Sequence, residues 1–198
     1  MVHVTKTVAG CFAKLRRLRI VLQSLRQEWQ DSSTRLVVTL VLSRLDYCNG
    51  VLAGLPASQL NRLQSVLHAA ARLIYGARRR DHVTPLLHQL HWLSIPERVE
   101  FKLCVLMYRC LHGIGPAYFS DDLKLVSEIS SRQRLRSAST TSLVIPATRR
   151  STLGDRAFPV IGARLWNALP CDITSASSLS SFRRLLKTYL FRRCYGSD

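Results

Sequence analysis

A chain of 198 residues, 47% of them hydrophobic, is long enough to bury a core and too apolar for a disordered tail. Its 29 Lys and Arg against 12 Asp and Glu leave a net charge of +17, so a polyanionic partner is expected rather than a small-molecule substrate. Residues 36–42, the longest apolar stretch of the first half, are too few to cross a bilayer, and MVHVTKTVAGCF lacks the apolar core of a secretory signal, which predicts an intracellular protein without a membrane span.

The first half predicts a series of amphipathic helices. In KTVAGCFAKLRRLRIVLQSL, Cys11, Leu15, Leu18, Leu22 and Leu25 recur at steps of three and four and line one helix face. TRLVVTLVLSRLDYCNGVLAGL is apolar nearly all round and is expected as the most buried helix, punctuated by Gly54 and Pro56. In SQLNRLQSVLHAAARLIYG, Leu60, Leu63, Leu67, Ala70 and Ile74 share one face, and Asn61, Ser65, His68 and Arg72 the other. Gly76 is the expected stop, with Arg78, Arg79 and Arg80 in the loop beyond. Thr84-Pro85 reads as an N-cap with proline in the first turn of a short helix, PLLHQL. Ser94 and Glu97 have capping-box spacing before ERVEFKLCVLMYRCLHG, whose core stripe is Val99, Leu103, Leu106 and Cys110.

Composition changes after residue 122. Ser and Arg dominate SEISSRQRLRSASTTS, which is expected as a linker over residues 122–142. SLVIP is a strand candidate, and STLGDRAF returns against it as a second strand. PVIGARLWNALP predicts a helix holding Trp166. SSLSSFRRLLKTYLF predicts a capped amphipathic helix with Phe182, Leu185, Leu186, Tyr189 and Leu190 inside and Arg183, Arg184 and Lys187 outside. The expected fold is therefore mainly α: a helical bundle over residues 1–121 and a small unit over 143–195 containing a short β-hairpin and one amphipathic helix.

The six cysteines are scattered without a Cys-x-x-Cys pair, which predicts reduced thiols. Cys104, Cys110 and His112, with His88 and His91, have the residue types of a zinc site, but Cys104 and Cys110 continue an apolar helix face and are expected as buried thiols, with no metal. No Gly-x-Ser-x-Gly and no phosphate-cradling glycine loop is present, and no cofactor is expected.

Residues 118–123, YFSDDL, have the letters of the aromatic-x-Asp-Asp box with which polymerases hold metal ions. Two-metal phosphoryl transfer needs carboxylates converging from separate strands on ions about 4 Å apart. Asp121 and Asp122 follow Gly-Ile-Gly-Pro with no upstream strand carrying a third Asp, so they are expected to face solvent or cap a helix start, and no catalytic residue is assigned.

The positive charge is uneven. No acid precedes Glu28, none lies between Glu128 and Asp155, and none between Asp172 and Asp198. Only five of the 29 cations are Lys, and the planar guanidinium fork of Arg suits phosphate oxygens and base stacking. Clustered arginines displace counterions from a polyanion, which makes RNA or DNA the expected partner; the alternative is an arginine-rich solvated surface that reflects GC-rich coding.

Five stretches, in order, carry a family resemblance: LVLSRLDYCNGVLAGLP, LQSVLHAAARLIYG, DHVTPLLHQLHWLSIPERVEFKLCVLMYRCLHG, GDRAFPVIGARLWNALP and SLSSFRRLLKTYLF. Their succession over residues 6–191 resembles the region that follows the polymerase palm in reverse transcriptases of LINE-type (non-LTR) retrotransposons, of the jockey and chicken-repeat sort. In that family the metal-binding box lies upstream of the SRLDYCN block, whereas YFSDDL lies downstream of it. The resemblance thus implies a chain that begins where the palm of its relatives ends, a C-terminal, thumb-like part of an RNA-directed DNA polymerase without catalytic residues. Its implied partners are template RNA or target DNA and the missing upstream polymerase domain, in the nucleus or cytoplasm. The residues expected to grip nucleic acid are Arg16, Arg17, Arg19, Arg78, Arg79, Arg80, Arg183, Arg184 and Lys187, with Tyr195 as an exposed stacking aromatic and Trp92 and Trp166 in the core. The alternative is a packing or protein-interaction module that completes the polymerase fold, its apolar helix over residues 36–52 exposed when the palm is missing.

Overall fold

In the computed structural model, which describes residues 2–24, 30–128, 142–150 and 153–196, the chain is mainly helical. It divides into two packing units, Met1–Arg98 with Phe191–Asp198, and Val99–Leu190. This differs from the expected division at residues 121 and 143, because Met107 and Tyr108 pack with residues of the C-terminal third. Residues 129–141, the centre of the expected linker, and Leu25, expected on the inner face of the first helix, lie outside the described residues.

The first unit opens with α1 (Val2–Ser24), which buries Cys11, Leu15 and Leu18 as its period predicts, and Val4 with them, while Leu22, expected on the same face, is half-buried. The expected apolar helix that follows is broken. It is built from α2 (Gln30–Val37), a π-helical turn (Val38–Leu42) and α3 (Ser43–Asp46), and a 3-10 turn (Asn49–Leu52) follows Cys48, which adopts the left-handed conformation at φ 53°. It is not the most buried helix: Val37, Val41, Leu42 and Leu45 face inward, but Leu36, Val38 and Leu40 are exposed. The wider π turn disrupts the regular i to i−4 hydrogen bonding. Lys14 Nζ donates to the Leu40 carbonyl at 3.0 Å, and the Cys11 thiol points at the Val41 carbonyl at 4.0 Å.

These two contacts, with Arg44 beside Gly10, run α1 antiparallel to residues 38–46. The next helix, α4 (Ala57–Tyr75), starts beside the start of α1, where Arg62 Nη1 donates to Thr5 Oγ1 at 3.2 Å, and packs along α1 and against α2. α1 and α4 therefore run in the same direction. The expected inner face of α4 is realised, with Leu63, Leu67, Ala70 and Ile74 buried, joined by Val66 and Ala71. Gly76 ends it at φ 61°, a left-handed cap that donates back to the last carbonyls.

The short α5 (Thr84–Gln89) has Thr84 as its first residue and Val83, without a side-chain cap bond, before it, so the expected Thr84 cap is not formed. At the start of α6 (Ile95–Leu111), Ser94 Oγ donates to Glu97 Oε2, a side-chain version of the expected box. The end of α10 (Leu179–Tyr195) docks here: Phe191 lies 5.0 Å from His88 and 5.6 Å from His91, and Tyr195 Oη donates to the Trp92 carbonyl at 2.5 Å.

The second unit is organised on α6 beyond Arg98, on α8 (Phe158–Asn167) and on α10. Tyr108 stacks on Phe182 at 4.5 Å and its hydroxyl donates to the Ala176 carbonyl at 2.9 Å. Trp166 and Phe182 are buried in the same core, as expected. Ser178 Oγ accepts from the Ser181 amide at the start of α10, which turns Phe182, Leu186 and Leu190 inward. Leu185, expected inside, is 38% exposed. A minor α9 (Cys171–Thr174) and a one-turn α7 (Ala117–Ser120) complete the unit.

The expected hairpin does not form: among the described residues there is no strand. Leu143 instead makes a single antiparallel bridge to Leu125, with Val126 donating to the Ser142 carbonyl and Val144 to the Lys124 carbonyl, both at 2.9 Å. The opposite edge of Leu143 is closed by Asn167, whose side-chain oxygen accepts its N–H and whose Nδ2 donates to its carbonyl, each at 2.8 Å. An edge satisfied on both sides leaves nothing for a second strand to pair with. Gly154–Arg156 forms a 3-10 turn, with Asp155 receiving Thr148 Oγ1 at 2.7 Å.

Candidate nucleic-acid interface

All nine cations expected to grip nucleic acid are exposed. Arg16, Arg17 and Arg19 lie on α1 opposite the buried line of Cys11, Leu15 and Leu18, because the helical period separates the two sets. Arg78, Arg79 and Arg80 follow the Gly76 cap in a tight turn. Asp81 holds that turn, its carboxylate accepting the Arg78 N–H at 2.6 Å and its carbonyl accepting Arg72 Nη2 at 3.1 Å.

Since α1 and α4 run in the same direction from the Thr5–Arg62 contact, Arg16, Arg17 and Arg19 near the end of α1 and the triplet after α4 lie at one end of the first unit. Six guanidinium groups there have no carboxylate in an ion pair with them among the described residues. Fixed positive charge of this density attracts a polyanion and releases its counterions. In the second unit, Arg183, Arg184 and Lys187 make a separate group on the outer side of α10, again without a described ion-pair partner.

Tyr195 is not available as a stacking platform. Its hydroxyl is bound to the Trp92 carbonyl, its ring lies 4.8 Å from Phe191, and burial raises its pKa above the ordinary phenol value. Among the described residues the most exposed aromatics are Tyr47 at 70% and Tyr118 at 68%. Trp92 is buried, as expected.

Asp121 and Asp122 sit exposed in the turn that ends α7, the Asp121 amide donating to the Ala117 carbonyl at 3.0 Å. Phe119 turns inward against Phe158, with ring centroids 4.5 Å apart. Among the described residues no three His, Cys, Asp or Glu side chains converge as metal ligands. Cys104 and Cys110 are buried on α6, and burial pushes the Cys110 thiol up, with Ser120 and Arg109 opposing. His112 stacks on Tyr108 at 3.8 Å.

Sequence reasoning missed two contacts that tie the first unit together. Lys14, counted only as a cation, caps the π turn; Asp46 and Arg98 form a two-pronged ion pair. The Asp46 carboxylate beside an apolar run was the available signal, since an acid in such a context is ordinarily paired. No protein-family model, curated protein or solved structure matches the chain.

Proposed function

We propose that this chain is the post-palm part of a LINE-type reverse transcriptase that carries no catalytic residues of its own and grips template RNA or target DNA through basic helical surfaces. The observation that carries the reading is the exposure of Arg16, Arg17 and Arg19 near the end of α1 and of Arg78, Arg79 and Arg80 after α4, with no described carboxylate in an ion pair with their guanidinium groups. The ordered family-like blocks supply the identity of the parent protein, and the acid-free zones supply the sign of its partner. Arginine forks position a phosphate backbone without reading sequence, so RNA hairpins and DNA duplexes are bound through the same groups.

Fluorescence anisotropy with labelled RNA and DNA across a salt series tests this. Contact with six phosphates gives a log–log salt slope of about −5, and replacing Arg78, Arg79 and Arg80 by Ala reduces its magnitude by roughly 3. Affinity that does not fall as salt rises, or a slope untouched by the triple replacement, overturns the proposal.

A further inference from the structure

A helix at the surface of a water-soluble domain ordinarily turns polar and charged residues outward. On α2 and its π turn three aliphatic residues are exposed among Arg35, Thr39, Ser43 and Arg44. Leu36, Val38 and Leu40 are 38, 40 and 37% exposed, and Tyr47, just beyond α3, is 70% exposed. The two hydroxyl residues among them are turned back on the backbone, Thr39 Oγ1 donating to the Arg35 carbonyl at 2.8 Å and Ser43 Oγ to the Thr39 carbonyl. Neither hydroxyl then depends on water for a partner. The π turn sits in the middle of this face, and such turns are frequent where a helix surface is functional.

Among the described residues the rim of the face is cationic. Lys14 Nζ is anchored on the Leu40 carbonyl, the Arg44 guanidinium lies 3.3 Å from where a Cβ on Gly10 would be, and Arg35 is exposed at the start. The carboxylate that follows, Asp46, is held by Arg98. Arg35 and Arg44 pair with no carboxylate among the described residues.

We infer that this face docks an amphipathic helix of another polypeptide, whose apolar stripe covers Leu36, Leu40 and Tyr47 and whose flanking Asp and Glu side chains meet Arg35, Lys14 and Arg44. Charge decides among the occupants. A second copy placed by a two-fold axis sets the patch against itself and brings like-charged rims together, in a chain already carrying +17. A polynucleotide satisfies the arginines but leaves the aliphatic centre against phosphates, which gain nothing from it. An acidic amphipathic helix matches both parts, the apolar centre giving affinity and the rim giving orientation and encounter rate. The inference is independent of the nucleic-acid reading, whose arginines are a different set.

The test uses the full chain and a fluorescein-labelled peptide of about 20 residues, with Leu at i, i+4 and i+7 flanked by Glu. Saturable binding is expected, weakened at least about tenfold by Leu36→Asp with Leu40→Asp, by Tyr47→Ser, and by Arg35→Glu with Arg44→Glu. The helical circular dichroism of the variants should stay that of the parent chain. The same peptide with Lys for Glu should not bind. Equal binding of the two peptides, or binding unchanged in all three variants, overturns the inference. So does a self-association that the Leu variants abolish, which assigns the face to a second copy, or full displacement of the peptide by an RNA hairpin, which assigns it to nucleic acid.

Discussion

Arg98 grips Asp46 with a two-pronged pair, Nε donating to Oδ1 at 2.8 Å and Nη2 to Oδ2, across 52 residues of sequence. Both side chains are largely shielded, at 17 and 28% exposure, and the buried Asn49 amide reaches the same Oδ1 at 3.4 Å. The pair therefore ties the turn of LDYCNG to the helix start of SIPER, and gives a physical reason for an acid in the first stretch and an arginine in the second.

Removing one partner leaves the other shielded and uncompensated. Arg98→Ala should lower stability by about 2–4 kcal/mol, read as a lower midpoint in urea with an unchanged slope. Arg98→Lys should recover only part of that, because an ammonium cannot present the two parallel donors. A Lys variant as stable as the parent would show that charge alone holds the contact.

Asn167 acts as the missing neighbour of a one-residue strand. Its amide satisfies both backbone groups of Leu143 on the edge away from Leu125. Asn167→Leu removes both bonds and should cost about 1–3 kcal/mol. Hydrogen exchange locates the loss: the Leu143 amide should lose protection, while the Val144 amide, bonded to the Lys124 carbonyl, should lose less. Equal loss at both would mean that Asn167 supports the whole segment rather than one edge.

The helices were legible because period and punctuation agreed. On α4 the buried line and the Gly76 stop follow from spacing alone, and on α10 the Ser178 cap sets which side Phe182 and Leu186 face. What failed depended on partners distant in sequence. Residues 36–52 are apolar nearly all round, so periodicity could not show which side stays exposed, nor that Lys14 would cap a π turn at Leu40. Leu143 alternates like a strand, but its partner is Leu125, on the far side of the Ser/Arg-rich stretch. The exposure of the arginines was readable from their chemistry. That two triplets share one end was not, since it depends on the relative direction of α1 and α4.

Gly162 is required by a close approach rather than by its backbone angles. A Cβ there would stand 2.5 Å from Met107 Sδ and 3.2 Å from its Cγ. Gly162→Ala should gain helix propensity yet still lose about 1–3 kcal/mol through overpacking. Met107→Ala in the same chain opens the space, so the double variant should be less destabilised than the sum of the singles. Strict additivity, measured by urea unfolding of all four proteins, would place the strain elsewhere.

His68 gives the fold a pH dependence through Gln64. The Gln64 oxygen accepts the Ile95 N–H at 2.8 Å, which leaves its NH₂ to donate to His68 Nε2, also at 2.8 Å, and fixes that ring nitrogen as an unprotonated acceptor. Burial, with the Arg72 charge second, lowers the His68 pKa below the ordinary value near 6.5. With the folded pKa below the unfolded one, the unfolded chain binds the proton first as pH falls. The contribution of His68 is therefore intact above about pH 6.5, is lost as pH falls toward the folded pKa, and levels off below it. A protonated Nε2 also opposes the Gln64 NH₂, and turning that amide over would present NH₂ to the Ile95 N–H. His68→Gln, which keeps an acceptor in place without a titrating proton, should flatten this part of the stability profile measured by urea unfolding between pH 5 and pH 8. A profile as steep as that of the parent chain would assign the dependence to other groups.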